Sequence, residues 1–429
     1  MTGTKANIRF LEAASAIGAR LAGEALWSGR RCNWLGDAME FVDGQWQVVH
    51  RTCGVSLYDG TAGIALFLSR LVAVEDEHRG DSVLRATARG ALMQANSRLQ
   101  ALPAPGRLGL YSGLVGVAYA LTECGAALGD PDWVERGTAI MDDLSAVTDD
   151  GEGLDIISGA AGAIPILLRR GSDQSLALAR ALGERLLTRA RHVDGGMAWD
   201  TMPGSRRPLT GHSHGTAGIA VALQELSEST AEGRFADAAR GALTYERAHF
   251  VTAQGNWPDF RDFAAMGATP AVDDRPVCSM AWCHGAPGIA LGRLRLWELT
   301  GDSVLRDEAR TALETTRRAV ERLLAQPGSD CSLCHGLAGL AEPLLAGASA
   351  LGEPSFREIA ERVGDRLIEW YARTGSPWPC GVPNGGETPA LMTGVAGIGY
   401  FLLRLALPEL TPSVLLFPGD RRVAAPHRE

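Results

Sequence analysis

The sequence predicts an all-α fold: a closed double-ring α/α toroid of seven inner and seven outer helices. Three observations carry this. A phrase of the form G-x-x-G followed by an apolar run recurs seven times along the 429 residues. The run behind each phrase is rich in alanine and leucine, which favour helix over strand. Between the phrases lie stretches whose apolar residues return every three or four positions, with Arg and Glu on the opposite side.

The phrases, in order, are "DGTAGIALFL" from Asp59, "SGLVGVAYAL" from Ser112, "SGAAGAIPIL" from Ser158, "HGTAGIAVAL" from His214, "HGAPGIALGR" from His284, "HGLAGLAEPL" from His335 and "TGVAGIGYFL" from Thr393. Their first glycines run from Gly60 to Gly394, a mean spacing of about 56 residues, which suits one helical hairpin with its loops. One glycine pair is weak evidence; seven at similar spacing are a repeat. The amphipathic stretches cover 83–102, 175–191, 234–250, 304–324 and 356–373, and an N-terminal helix over 6–26 is expected to partner the first phrase. Apolar helices alternating with amphipathic ones pack as an inner ring inside an outer one. The glycine loops then gather at one end, where helix N-termini aim free N–H groups and positive dipole ends toward a central cavity.

Composition narrows the partners. The chain is 46% hydrophobic and 21% charged, with a formal net charge of -9, and contains no basic tract suited to a phosphate backbone. Nucleic acid is therefore not an expected partner. No apolar run approaches the roughly 20 residues of a membrane span, and the N-terminus lacks the basic-then-apolar order of a signal peptide. A cytoplasmic location is the default expectation, in which the eight cysteines stay reduced.

The repeats differ just before the first glycine. Three carry histidine there (His214, His284 and His335), and two of these are preceded by cysteine, Cys283 and Cys334. The stretch "CSLCH" at 331–335 also matches the c-type haem attachment pattern, but such attachment follows export, which nothing here directs. Aligning the repeats gives a different parsing: Cys334-His335-Gly336 matches Cys283-His284-Gly285, and Cys331 falls outside the shared unit. If the loops converge, two cysteinates and a histidine form a three-ligand zinc set with an open fourth position, the pattern of a catalytic site. Cys283, Cys334 and His335 are the preferred ligands; His284 competes with His335, and Cys331 could complete a C-x-x-C pair. His214, in a repeat without cysteine, suits a free acid/base group or a helix cap. Asp155 could orient a histidine or cap a helix, and by position alone the cap is favoured.

On "SLYDGTAGIALFL", "LDIISGAAG", "GHSHGTAGIAVAL", "NWPDF", "WCHGAPGIAL", "SLCHGLAGL" and "PSVLLF", the chain resembles the lanthionine synthetase C-like cyclases, and within them the cyclase domain at the C-terminal end of class II lanthipeptide synthetases. The resemblance covers nearly the whole chain, 1–429, as a single cyclase domain without a dehydratase domain. It implies a toroid holding one zinc ion, and addition of a peptide cysteine thiol to dehydroalanine or dehydrobutyrine to give a thioether ring. By motif, zinc falls on Cys283, Cys334 and His335, the acid/base role on His214 and an assisting role on Asp155, with His284 and His212 as candidates for the layer behind the ligands. Where some stand-alone cyclases have arginine and tyrosine, this chain has Ser279 and His284. The implied partner is a dehydrated precursor peptide; either the chain is a domain excised from a larger synthetase, or a separate dehydratase or kinase/lyase prepares the peptide, and no integral membrane segment is expected. Three alternatives remain open: addition of a glutathione-type thiol to dehydroamino acids on proteins, a peptide-binding toroid without turnover, and a glycan-processing toroid, which would need paired carboxylates where these loops offer Cys and His.

Overall fold

The computed structural model describes residues 5–75, 83–102, 106–144, 153–263 and 276–419. Among them are fourteen α-helices in two concentric rings. The inner helices are α2 (Thr61–Glu75), α4 (Leu114–Leu128), α6 (Ala160–Arg170), α8 (Thr216–Thr230), α10 (Ala286–Thr300), α12 (Leu337–Leu351) and α14 (Val395–Ala406). Each packs on the next, and α14 returns to α2, so the ring closes. The outer helices are α1 (Lys5–Gly23), α3 (Val83–Ser97), α5 (Pro131–Asp143), α7 (Asp173–Arg189), α9 (Gly233–Ala248), α11 (Ser303–Leu323) and α13 (Pro354–Leu367).

Sequence determines which ring a helix joins. In α4, LVGVAYALTECGAAL, apolar residues lie on every side, and all but four of its fifteen residues are buried. Burying one such side chain, Leu121 for example, contributes about 2 kcal/mol. The helix stops at Gly129, whose φ of 64° is the left-handed cap that glycine adopts freely. In α11, by contrast, Leu305, Ala309, Ala312, Leu313, Thr316 and Val320 form one buried stripe, and Asp302 caps the start by accepting from the Val304 N–H at 2.9 Å.

Two expectations need correction. The N-terminal helix ends at Gly23 and packs chiefly against α14, the last inner helix, touching α2 only marginally; it closes the outer ring behind α14. The inner helices are not wholly apolar: Arg295 of α10 grips Glu225 of α8 at 2.6 and 3.1 Å, Arg404 of α14 reaches Glu342 of α12 at 2.8 Å, and Glu123 of α4 binds both Arg70 of α2 and Arg169 of α6. These pairs tie neighbouring inner helices together. The described residues also contain three antiparallel hairpins: β1 (Leu26–Ser28) with β2 (Arg31–Asn33), β3 (Leu35–Val42) with β4 (Gln45–Thr52), and β5 (Arg191–Val193) with β6 (Gly196–Ala198).

The seven glycine loops form a knitted rim. Tyr58 N–H donates to Tyr111 O (2.9 Å), Tyr111 to Ile157 O (3.0 Å), Ile156 to Ser213 O (3.0 Å), Ser213 to Cys283 O (3.2 Å), Trp282 to Cys334 O (3.1 Å), Cys334 to Met392 O (2.9 Å) and Met392 back to Tyr58 O (2.9 Å). Each loop thus hands one backbone hydrogen bond to the next, all the way round. The second glycine of each phrase explains the motif. A Cβ at Gly116 or Gly288 would run into the carbonyl oxygen of Leu110 or Trp282, six residues earlier in each case. Only glycine lets the first helical turn lie against that carbonyl.

Below the rim the ring is filled. Segment 411–417 lies against the inner helices, accepting hydrogen bonds from Tyr400 Oη at Pro412 O (2.8 Å), Tyr111 Oη at Val414 O (2.6 Å) and Trp282 Nε1 at Leu415 O (2.9 Å). Phe417 packs edge-on against Tyr111 and Tyr119. A cavity of about 20 Å³ remains between this segment and the inner helices.

Candidate thiol and imidazole site

Cys283 and Cys334 occupy equivalent positions, two residues before the first glycine, in adjacent loops of the rim. The rim hydrogen bonds bring the loops together, and the two side chains meet. Both are buried, and the Cys334 thiol donates to the Cys283 sulfur. That hydrogen bond is the main reason the Cys283 thiol is lowered to about 6, against the opposing effect of burial; the positive charges of His335, Arg261 and His214 add to the lowering. Cys334 moves the opposite way, well above an ordinary thiol, because it holds the shared proton. The pair therefore carries one thiolate near neutral pH. The Tyr58 hydroxyl is hydrogen-bonded to Cys334 from the first loop.

His214 stands beside them. Its Nδ1 lies 2.6 Å from Asp155 Oδ2, while Asp155 Oδ1 accepts from Ser158 N–H at 2.8 Å and Ser158 Oγ at 3.1 Å. Asp155 orients the histidine and braces its own loop, but it does not cap α6: the N-cap there is Gly159, with no side-chain hydrogen bond. A carboxylate only accepts, so the proton is on Nδ1 and Nε2 is the nitrogen left for chemistry. Burial would lower the imidazolium pKa, but the hydrogen bond and charge of Asp155, helped by Cys283, outweigh it, and the value is raised.

His335 is turned differently. Its Nδ1 is 2.5 Å from Asp330 Oδ2, and its ring lines two cavities, one of about 260 Å³ walled by the β3–β4 hairpin and one of about 510 Å³ walled by the 377–387 loop. Its charge is felt at Cys283. Among the described residues, no three His, Cys, Asp or Glu side chains are drawn close enough together to hold a metal ion as they stand. The donor set still suits a thiophilic divalent ion: two sulfurs in contact, one of them readily a thiolate, with an imidazole open to the adjoining cavity.

His284 and His212 lie deeper. His284 is buried and stacks on His214 at 5.6 Å, with Nδ1 3.9 Å from Asp259 Oδ1; burial lowers it to about 3. His212 is buried against Trp282 and lowered to about 4 by the same cause. Cys331 is fully buried, its Sγ 3.3 Å from Ser329 O, and burial pushes its thiol up.

Two residues escaped the sequence reading. Arg261, just past the quoted "NWPDF", is clamped by Asp259 through Nε (2.9 Å) and Nη2 (2.6 Å), and Asp259 is fixed by Ser279 Oγ at 2.6 Å. Its positive charge is felt by Cys283, Cys334, His214, His284 and His335 alike. Ser279 holds the position where some stand-alone cyclases have arginine, so here it anchors the carboxylate that presents Arg261. Asp330 is the second.

A closed α/α toroid whose rim carries paired thiols beside carboxylate-held imidazoles defines a class of protein. The family profile described as "Lanthionine synthetase C-like protein" matches residues 52–416, and the chain belongs to that family. Among curated proteins it is similar to "Glutathione S-transferase LANCL1" of Danio rerio, 31% identical over 147 residues; this covers 34% of the chain and spans about a third (33%) of the relative's own length. Among solved structures it is similar to "Nisin cyclase", with a TM-score of 0.61, 17% identity, and coverage of 83% of this chain and 90% of that one. At that identity the likeness speaks for the fold. No helix among the described residues is long and apolar enough to cross a membrane.

Proposed function

We propose that the chain is a zinc-dependent thioether cyclase that adds peptide cysteine thiols to dehydroalanine or dehydrobutyrine, forming lanthionine and methyllanthionine rings. The observation that carries this reading is the Cys283–Cys334 sulfur pair standing beside the His214–Asp155 dyad. The substrate is a peptide that has already been dehydrated.

Cys283, Cys334 and His335 would hold one zinc ion, whose contribution when bound is to keep the incoming thiol as a thiolate at neutral pH. The sulfur forms a bond to the β-carbon, and the electron pair of the carbon–carbon double bond shifts to the α-carbon and its carbonyl as an enolate. His214, kept protonated by Asp155, delivers a proton to the α-carbon from Nε2 and is recharged by the proton the thiol gave up. Arg261, held rigid by Asp259, places a fixed positive charge beside the developing negative one.

A second reading has a specific support. The zebrafish relative is named a glutathione S-transferase, and the same groups could add glutathione to a dehydroamino acid on a protein. One assay separates the two. The zinc-loaded chain is incubated with a peptide bearing one cysteine and one dehydroalanine, with and without glutathione. Cyclisation removes the free thiol without changing the mass, whereas glutathione addition raises the mass by one glutathione. An unchanged thiol and mass in both arms contradicts both readings.

A further inference from the structure

The rim contains a second carboxylate–imidazole pair, whose carboxylate has no part in the proposed reaction. Asp330 Oδ1 accepts from Ser332 N–H at 2.8 Å, and Oδ2 accepts from Ser332 Oγ at 3.0 Å and meets His335 Nδ1 at 2.5 Å. This repeats the arrangement of Asp155 with Ser158 and His214, a carboxylate braced by a nearby serine's N–H and hydroxyl with an imidazole on its outer oxygen. Asp155 serves the next loop in the rim, whereas Asp330 serves the histidine of its own.

The far side of the His335 ring is equally constrained. A methyl group at Gly381 would stand 2.6 Å from His335 Cε1 and 2.7 Å from Ser332 Oγ, so the 377–387 loop closes over the ring with no room for a side chain. Backbone hydrogen bonds hold both walls: Cys331 N–H donates to Pro379 O at 2.9 Å and Gly381 N–H to Thr393 O at 2.8 Å. The imidazole is gripped on its Nδ1 edge and backed by a glycine.

The geometry points to Asp330 as a positioning residue for His335. By accepting a hydrogen bond from Nδ1–H it fixes the tautomer and leaves Nε2 as the one nitrogen able to donate a lone pair to a metal. This inference rests on the zinc reading above and adds to it which nitrogen binds and what holds the ring. A partner of this kind is worth roughly ten- to a hundredfold in metal affinity.

The test measures zinc affinity by competition with a chromophoric chelator for the wild-type chain, Asp330→Ala and Asp330→Asn, alongside ¹⁵N NMR of the His335 ring. Asp330→Ala should weaken zinc binding by about ten- to a hundredfold, and Asp330→Asn, which keeps an acceptor, should weaken it less. In the metal-free wild type the ring should carry its proton on Nδ1, and in Asp330→Ala that preference should disappear. Unchanged or tighter binding in a folded Asp330→Ala chain would overturn the inference, tighter binding meaning that the metal needs the nitrogen Asp330 occupies. A wild-type chain that binds no zinc would instead overturn the zinc reading, and the tautomer measurement would then decide the Asp330–His335 pairing by itself.

Discussion

The second and sixth glycine phrases have the same backbone and opposite uses. In both, the second glycine lies against the carbonyl six residues earlier, Gly116 on Leu110 and Gly339 on Leu333. In both, the residue two places before the first glycine links into the rim through its N–H. In the second phrase that residue is Tyr111, which points down and binds Val414 O; in the sixth it is Cys334, which meets Cys283. The repeat supplies a scaffold of seven equivalent positions. Chemistry enters by changing side chains at a few of them, while the rest seal the ring.

Variants that break this division should have unequal effects. The largest falls on the sulfurs. Cys283→Ala or Cys334→Ala should lose bound zinc and reduce the cyclisation rate by about a thousandfold or more, the scale of several kcal/mol of metal-derived stabilisation, read by metal analysis and free-thiol assay. Cys331→Ala, outside the repeat unit, should keep its zinc; if it loses zinc and Cys334→Ala does not, the parsing of this segment is wrong.

Next comes the acid. His214→Asn should lower the rate by about a hundred- to ten-thousandfold while zinc stays bound. The protonated imidazole is the active form and its pKa is raised, so kcat/KM should fall only as pH climbs through that raised value. Asp155→Asn removes the partner that raises it, and the alkaline fall should move to lower pH. An unmoved pH profile would take His214 out of the proton-transfer role.

The scaffold itself should respond evenly. Gly116→Ala and Gly288→Ala each place a methyl group on a backbone carbonyl and should each destabilise the fold by about 2 kcal/mol, seen as a lower denaturation midpoint. A large effect at Gly288 with none at Gly116 would mean that the two sides of the rim are not equivalent. The smallest effect belongs to Tyr111→Phe, which loses its hydrogen bond to Val414 O at a cost of about 1 kcal/mol and leaves zinc untouched.

Much of this was legible because a repeated phrase reports seven times on the same geometry. The phrase located every inner helix, and the periodic stretches located most of the outer ones. Helix α5 gave little signal: it is thirteen residues long and buries only Gly137, Ile140 and Met141. The β3–β4 and β5–β6 hairpins did leave a mark, since Asp43-Gly44 and Asp194-Gly195 take positive φ at both positions, as tight two-residue hairpin turns require. In a sequence dominated by helical periodicity, those short turns carried little weight. Asp330 and Arg261 were illegible for a different reason. Each acts through a partner whose distance depends on how a loop folds back, and sequence spacing does not encode that. The N-terminal helix was assigned to the neighbour nearest in sequence, whereas closure of the ring gives it the most distant one.

The proposed zinc ion lies between the fifth and sixth loops of the rim. Metal analysis of the purified chain tests it most directly, with wild type, Cys283→Ala, Cys334→Ala and Tyr111→Phe measured side by side. The account predicts one zinc per chain in the wild type and in Tyr111→Phe, and none in either cysteine variant. A wild type without zinc, or cysteine variants that retain it, would rule out this metal site.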